Sequence, residues 1–143
     1  MEDLPGQHGP MYMWPEVRLV EGVVDCLHSL NKVAKCHVAT NAKDSTATEI
    51  RKAFARVELS QYIEEIFCAN SIGHKKPSSE YFEFIQIKLG APKSKIVIIG
   101  DSLENDVYGA LQQGFNAIWF NRNEHDVPAG INAIGELKEL LPA

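Results

Sequence analysis

The sequence has no run of apolar residues approaching the ~18 that a membrane-spanning helix needs. Its opening, "MEDLPGQHGP", has neither the basic stretch nor the apolar segment of a secretory signal. These absences argue against a membrane partner and lead to the expectation of a cytoplasmic protein. There are only 3 cysteines, Cys26, Cys36 and Cys68, far apart and set in apolar stretches. They lack the spacing of a disulfide framework or a zinc site and read as reduced core thiols. No basic cluster is longer than a pair, and the formal net charge is -5. A nucleic-acid partner is therefore not expected. A small anionic substrate stays open, because a local site can be positive on an acidic protein. The histidines show no metal spacing; His37 reads as a core residue and His74 as a loop residue. No repeat and no low-complexity tract is present.

What is there is one domain's worth of chain. It has 143 residues, 45% of them hydrophobic and 23% charged, the balance of an ordinary globular fold. After Pro15 two periodicities alternate. Val20, Val23, Val24, Leu27 and Leu30 recur at helical spacing, and "KCHVAT" reads as a short buried strand. Thr46 and Glu49 spell a capping box before a second helix marked by Ile50, Phe54 and Val57. "EIFCAN" reads as a strand. Ser78 caps a helix that buries Phe82, Ile85 and Leu89 and stops at Gly90. "KIVIIG" is a third strand, the stretch through Gly114 a helix, "NAIWF" a fourth strand and "IGELKELL" a closing helix. Strands alternating with helices predict right-handed β-α-β units, so the fold class is α/β, a doubly wound parallel sheet. The expected division is an N-terminal extension over residues 1–16 and an α/β core over 17–143.

In such folds the chemistry sits beyond the carboxyl ends of the strands. Three groups of residues fall there: Thr40-Asn41, Lys76-Pro77, and "GDSLEND" with Asp101, Ser102 and Asp106. Singly each has a bland reading. Thr-Asn is a capping device, a Lys before Pro is a solvated loop residue, and acids at a helix start suit the helix dipole. Together they suit phosphoryl transfer, which needs charge neutralisation around equatorial oxygens. Thr40 and Asn41 can hold those oxygens at a helix start, Lys76 is a compact cation, and Asp101 and Asp106 are hard oxygen ligands for Mg²⁺.

The order and spacing of "VATN", "HKKP" and "GDSLENDVYGA", followed by "GFNAIWFNR", resemble the second, third and fourth motifs of the haloacid dehalogenase superfamily, in its phosphatase branch. The likeness runs from about Val17 onward. It implies a Rossmann-like core and Mg²⁺-dependent hydrolysis of a small phosphorylated metabolite, such as a nucleotide or a sugar phosphate. By that resemblance Thr40 binds the phosphoryl group with Asn41 beside it. Lys76 steadies the nucleophile and the phosphoryl oxygens, and Asp101 and Asp106 hold Mg²⁺.

The resembled family also begins with an apolar strand ending in Asp-x-Asp, whose first acid attacks phosphorus. No Asp-x-Asp occurs in this sequence, and nothing before Val17 reads as the family's inserted cap. By resemblance the absent strand is central to the sheet, and "PMYMWP" at Pro10 to Pro15 is a candidate to fill its place. Three accounts follow: a shortened reading of a longer enzyme, which we favour; a half complemented by a strand from another copy or protein, with self-association; or a non-catalytic relative that binds phosphate or Mg²⁺. On any of them this chain alone is expected to turn over little substrate.

Two rivals use the same letters. "GDSL" is the signature of a serine esterase class with Ser102 as nucleophile, but no Asp-x-x-His follows it to supply the base. A receiver-like phospho-acceptor domain places its acids before the Thr and Lys, the reverse of the order here.

Overall fold

A computed structural model of the chain describes residues 22–141. The expected N-terminal extension, its boundary at 16/17 and the Pro10–Pro15 segment lie outside the described residues. The chain forms two compact units, dividing between Gly73 and His74.

In the first unit, α1 spans Val23–Leu30, β1 Val38–Thr40, α2 Ala47–Arg56, β2 Ile66–Cys68 and α3 Ala69–Ile72. β1 and β2 pair in parallel, Val38 opposite Ile66 and Thr40 opposite Cys68. The capping box forms as the sequence predicts: the Thr46 hydroxyl accepts from Glu49 N–H at 3.2 Å, and Thr46 N–H donates to the Glu49 carboxylate at 2.9 Å. α2 turns Ile50 and Ala53 inward, where Leu59, Ile63, Phe67 and Cys68 are also buried. The chain returning from α2 to β2 is tied down by Arg51. Its guanidinium donates to the carbonyls of Ser60, Ile63 and Glu64 at 3.2, 3.0 and 3.0 Å. Two expectations shift here. The strand read over "EIFCAN" ends at Cys68, because Ala69 already begins a helical turn that Gly73 closes in the left-handed region at φ 84. Val24, placed on the apolar stripe of the first helix, is 44% exposed, while Cys26 is the buried residue of α1. All three cysteines are free thiols.

In the second unit, α4 spans Ser79–Leu89, β3 Val97–Gly100, α5 Gly109–Gln112, β4 Asn116–Phe120 and β5 Ala133–Ile134. The strands form one parallel sheet in the order β3-β4-β5. The Ser78 hydroxyl caps α4 by accepting from Tyr81 N–H at 3.3 Å, and Gly90 ends it at φ 63. Tyr81, Phe82, Ile85, Val107 and Ala110 are wholly or almost wholly buried, with Phe82 tilted against Phe115 at 5.8 Å.

The predicted closing helix over "IGELKELL" does not form. Ala133 and Ile134 instead extend the sheet opposite Trp119 and Phe120. Only a tight 3₁₀ turn, Leu137–Leu140, remains, held by the Glu139 carboxylate folding back onto the N–H groups of Gly135 and Glu136. The ladder bonds of β5 outweigh a helical pattern too short to be stable alone. The fold is α/β, as the alternation predicts, and Rossmann-like, as the resemblance implies.

Candidate active site

β3 delivers Asp101 to the end of the sheet. The turn that follows is capped by the Ser102 hydroxyl, which accepts from Asn105 N–H at 3.1 Å. Ser102 Oγ is thus spent on a structural cap. Leu103–Tyr108 then winds as a wide π-helical turn before α5.

That turn brings Asp106 back under the strand. One carboxylate oxygen accepts from Lys76 Nζ at 2.5 Å and the other from Ser102 N–H at 3.2 Å. Lys76 is 8% exposed and Asp106 6%. Charges so deep persist only when paired, since either alone would forfeit its hydration. Gly100 makes the approach possible. A Cβ there would lie 2.1 Å from Asp106 Oδ2, so any side chain at the strand's last position would expel the carboxylate. Gly109 does the same for Pro77, whose Cβ lies 2.7 Å from where a Cβ on Gly109 would stand. Lys76-Pro77 is therefore met at both residues by the segment after β3: Lys76 by Asp106 of the turn and Pro77 by Gly109, the first residue of α5.

Asp101 is exposed. Its main-chain carbonyl accepts from the Trp119 indole N–H at 3.1 Å, a contact set up by the register that pairs Gly100 with Trp119. Trp119 in turn stacks on His125, rings 7° from parallel with centroids 6.5 Å apart. Asn121, 7% exposed, donates to the His125 carbonyl at 2.7 Å and accepts from His125 N–H at 3.0 Å. Asp101, Trp119, Asn121, Arg122 and His125 wall a pocket of about 170 Å³.

In the first unit, Thr40 ends β1 half-buried, its hydroxyl accepting from Ala42 N–H at 3.2 Å. Asn70 anchors the loop that follows: its amide side chain donates to the Lys43 carbonyl at 2.7 Å and its N–H to the Ala42 carbonyl at 3.1 Å. A cavity of about 560 Å³ in this unit, lined by residues such as Asn31, Cys36, Tyr62 and Glu64, holds none of the sequence-predicted site residues. Burial pushes the Cys26 and Cys36 thiols up, with Cys36 adding to the effect on Cys26. That is the opposite of an activated nucleophile.

Of the sequence-predicted residues, the structure joins Lys76 to Asp106 and sets Asp101 one residue from the Ser102 N–H that Asp106 holds. Thr40 and Asn41 belong to the first unit. Sequence reasoning assigned no site role to Gly100, Gly109, Trp119, Asn121 or His125. The available signal was positional: Gly100, Trp119 and Asn121 stand at or next to a strand end.

A parallel sheet with an acid at the end of β3 and a buried lysine–aspartate pair defines a Rossmann-like α/β core. The sequence profile of the haloacid dehalogenase-like hydrolases matches residues 9–120, and the chain belongs to that family. Among curated proteins it is 27% identical over 127 residues to the pyrimidine 5'-nucleotidase YjjG of Escherichia coli, covering 84% of this chain and 55% of that protein. It is 28% identical to the human N-acylneuraminate-9-phosphatase, over 78% of this chain and 46% of the relative. The chain thus spans about half the length of these relatives. Among solved structures, the putative HAD-hydrolase YfnB of Bacillus subtilis, crystallised with magnesium, superposes with a TM-score of 0.77 at 25% identity, over 86% of this chain and 54% of that one. An uncharacterized Listeria monocytogenes protein shares the fold with a TM-score of 0.82 at 23% identity, over 93% of this chain and 83% of that one.

Proposed function

We propose that this chain carries the core of a Mg²⁺-dependent phosphomonoester hydrolase acting on a small phosphorylated metabolite. The observation that carries this reading is the buried Lys76–Asp106 pair, whose Asp106 carboxylate also accepts from the N–H of Ser102, the residue next to the exposed Asp101. A cation held rigidly by a carboxylate is a preorganised partner for phosphoryl oxygens, and preorganisation of charge is the main catalytic lever in phosphoryl transfer. The phosphatases among the relatives support the same class.

The donor set suits Mg²⁺ in kind. Among the described residues there is no group of three or more acidic, histidine or cysteine side chains gathered as a cage. Mg²⁺ does not ask for one, since it takes one or two carboxylates and keeps its waters. Asp101 offers the accessible carboxylate. Asp106, whose oxygens already receive Lys76 Nζ and Ser102 N–H, contributes its remaining lone pairs and fixes the lysine. Bound there, the ion would supply Lewis-acid polarisation of a phosphoryl oxygen.

The chain's own residues take these roles. Lys76 neutralises phosphoryl charge, with Asp106 holding its ammonium group in place. The Thr40 hydroxyl and Asn41 bind phosphoryl oxygens. The sequence has no Asp-x-Asp to furnish the attacking carboxylate, so we further propose that this chain by itself turns over negligibly and binds phosphate or Mg²⁺ instead.

The test is hydrolysis of p-nitrophenyl phosphate with Mg²⁺ and with EDTA, beside Mg²⁺ binding by calorimetry, for the native chain and Asp101→Asn. Mg²⁺ binding that is lost in Asp101→Asn, with little turnover, is the expected result. Metal-dependent turnover abolished by the substitution would keep the phosphatase class and overturn the inactivity. No binding and no turnover would overturn the reading.

A further inference from the structure

The pocket beside Asp101 is shaped by devices that the phosphatase reading does not use. Asn121 spends both ends of a buried carboxamide on the main chain of His125, closing the loop from 121 to 125 into a fixed ring. Within it Glu124 adopts φ 52, a left-handed conformation that is strained for a non-glycine residue. Such local strain persists only where surrounding contacts over-determine it. Here the determinants are the Asn121 clamp, the Trp119–His125 stack and the Trp119 bond to the Asp101 carbonyl. The loop is thereby held against the residue assigned to the cation.

The walls are polar and weighted toward donors. Arg122 and Asn123 bring a guanidinium and an amide, His125 an imidazole, and Asp101 is the single acid of the lining. Glu124 and Asp126, on the same loop, are not among the walls. The Arg122 guanidinium lies over the Phe120 ring, 5.8 Å from its centroid, which restrains it near the strand end. At about 170 Å³ the pocket is smaller than the ~300–1,000 Å³ of sites that enclose a whole ligand. It has room for one functional group of a larger molecule.

We propose that the pocket walled by Trp119, Asn121, Arg122, Asn123 and His125 is a subsite for a second, non-reacting anionic group of the substrate, a carboxylate or another phosphate, borne on the part that leaves. This rests on the phosphatase reading, which places the reacting phosphoryl group at Asp101. The planar guanidinium fork suits either anion by paired hydrogen bonds, and the neighbouring amide and imidazole add donors. The substrate class is then a phosphomonoester with a second negative charge, preferred over a neutral sugar or polyol phosphate.

The test is calorimetric binding to the full chain in Mg²⁺ with two matched pairs: 3-phosphoglycerate against glycerol 3-phosphate, and fructose 1,6-bisphosphate against fructose 6-phosphate. The expected result is that the doubly anionic member of at least one pair binds about tenfold more tightly, as a charge-assisted bidentate contact gives. Which pair shows the preference identifies a carboxylate or a phosphate. In Arg122→Gln, and separately in Asn123→Asp, the ratio falls toward one; both positions are exposed, so the fold is spared. Ratios near one in the native chain, or a preference untouched by both substitutions, overturn the subsite while leaving the phosphatase reading. Failure of all four esters and of inorganic phosphate to bind overturns both.

Discussion

Lys76 Nζ stands 2.5 Å from Asp106 Oδ1, and both residues are more than nine-tenths buried although 30 positions separate them in the chain. The pair links the loop before α4 to the turn after β3. Removing either partner strands a charge in the interior. Lys76→Met and Asp106→Leu are each expected to cost about 3–5 kcal/mol in urea unfolding, whereas the Lys76→Met/Asp106→Leu double variant costs much less than the sum. Additive losses would show that the two charges do not compensate one another.

Gly100 and Gly109 are required for space, and Gly90 for backbone conformation. Gly100→Ala drives a methyl group into the Asp106 carboxylate and Gly109→Ala drives one into Pro77, so each is expected to lose roughly 2 kcal/mol or more in thermal melts. Gly90 has nothing within 4 Å but sits at φ 63, so Gly90→Ala is expected to cost only about 1–2 kcal/mol. Gly100→Ala also weakens Mg²⁺ binding, because it displaces Asp106, whereas Gly90→Ala leaves that binding alone.

Arg51 donates to three main-chain carbonyls and to the Ser60 hydroxyl at 3.2 Å. Arg51→Met leaves those carbonyls to find water or go unpaired, an expected loss of about 1–3 kcal/mol. Arg51→Lys should recover little of it, since an ammonium group cannot reproduce the fork. Full recovery in the lysine variant would mean that charge matters at this position and geometry does not.

His37 precedes β1, accepts from Glu65 N–H at 3.2 Å and touches the Phe67 ring at 6.0 Å. Burial, the largest influence, pulls its pKa below the usual imidazole value, against a smaller upward pull from Glu64 and Glu65. The folded state therefore binds fewer protons than the unfolded chain as pH falls through about 6.5. Stability is complete above that pH and declines below it. His37→Gln is expected to flatten this decline between about pH 7 and 5 in chemical denaturation. An unchanged slope would move the titrating group elsewhere.

The capping residues Thr46, Glu49, Ser78 and Gly90 act as the sequence predicts because a cap is local: each bonds or bends within a few residues of itself. Thr40, Lys76, Asp101 and Asp106 were picked out by residue type and by position near strand ends and loops. That the structure sets Lys76 on Asp106 bears on the pair alone. The closing helix was misread because β5 takes the first residue of that stretch, Ile134, into the ladder with β4, and the remainder is too short to hold more than the 3₁₀ turn Leu137–Leu140. Val24 was assigned inward by a periodicity that cannot say where along its length a helix meets the core.

By itself, the sequence determined the alternation of strands and helices, the caps, the resemblance to the family and the absence of Asp-x-Asp. These depend on neighbours along the chain, or on residue type alone. Only the tertiary structure decided that Asp106 serves Lys76, that Gly100 must lack a side chain, and that Asn121, Trp119 and His125 build one pocket with Asp101. The physical reason is range. Lys76–Asp106 and Trp119–Asp101 join residues 30 and 18 positions apart, and the shorter spans, Gly100 to Asp106 and Asn121 to His125, follow turns that no periodicity in the sequence spells out, so only folding brings such groups within reach.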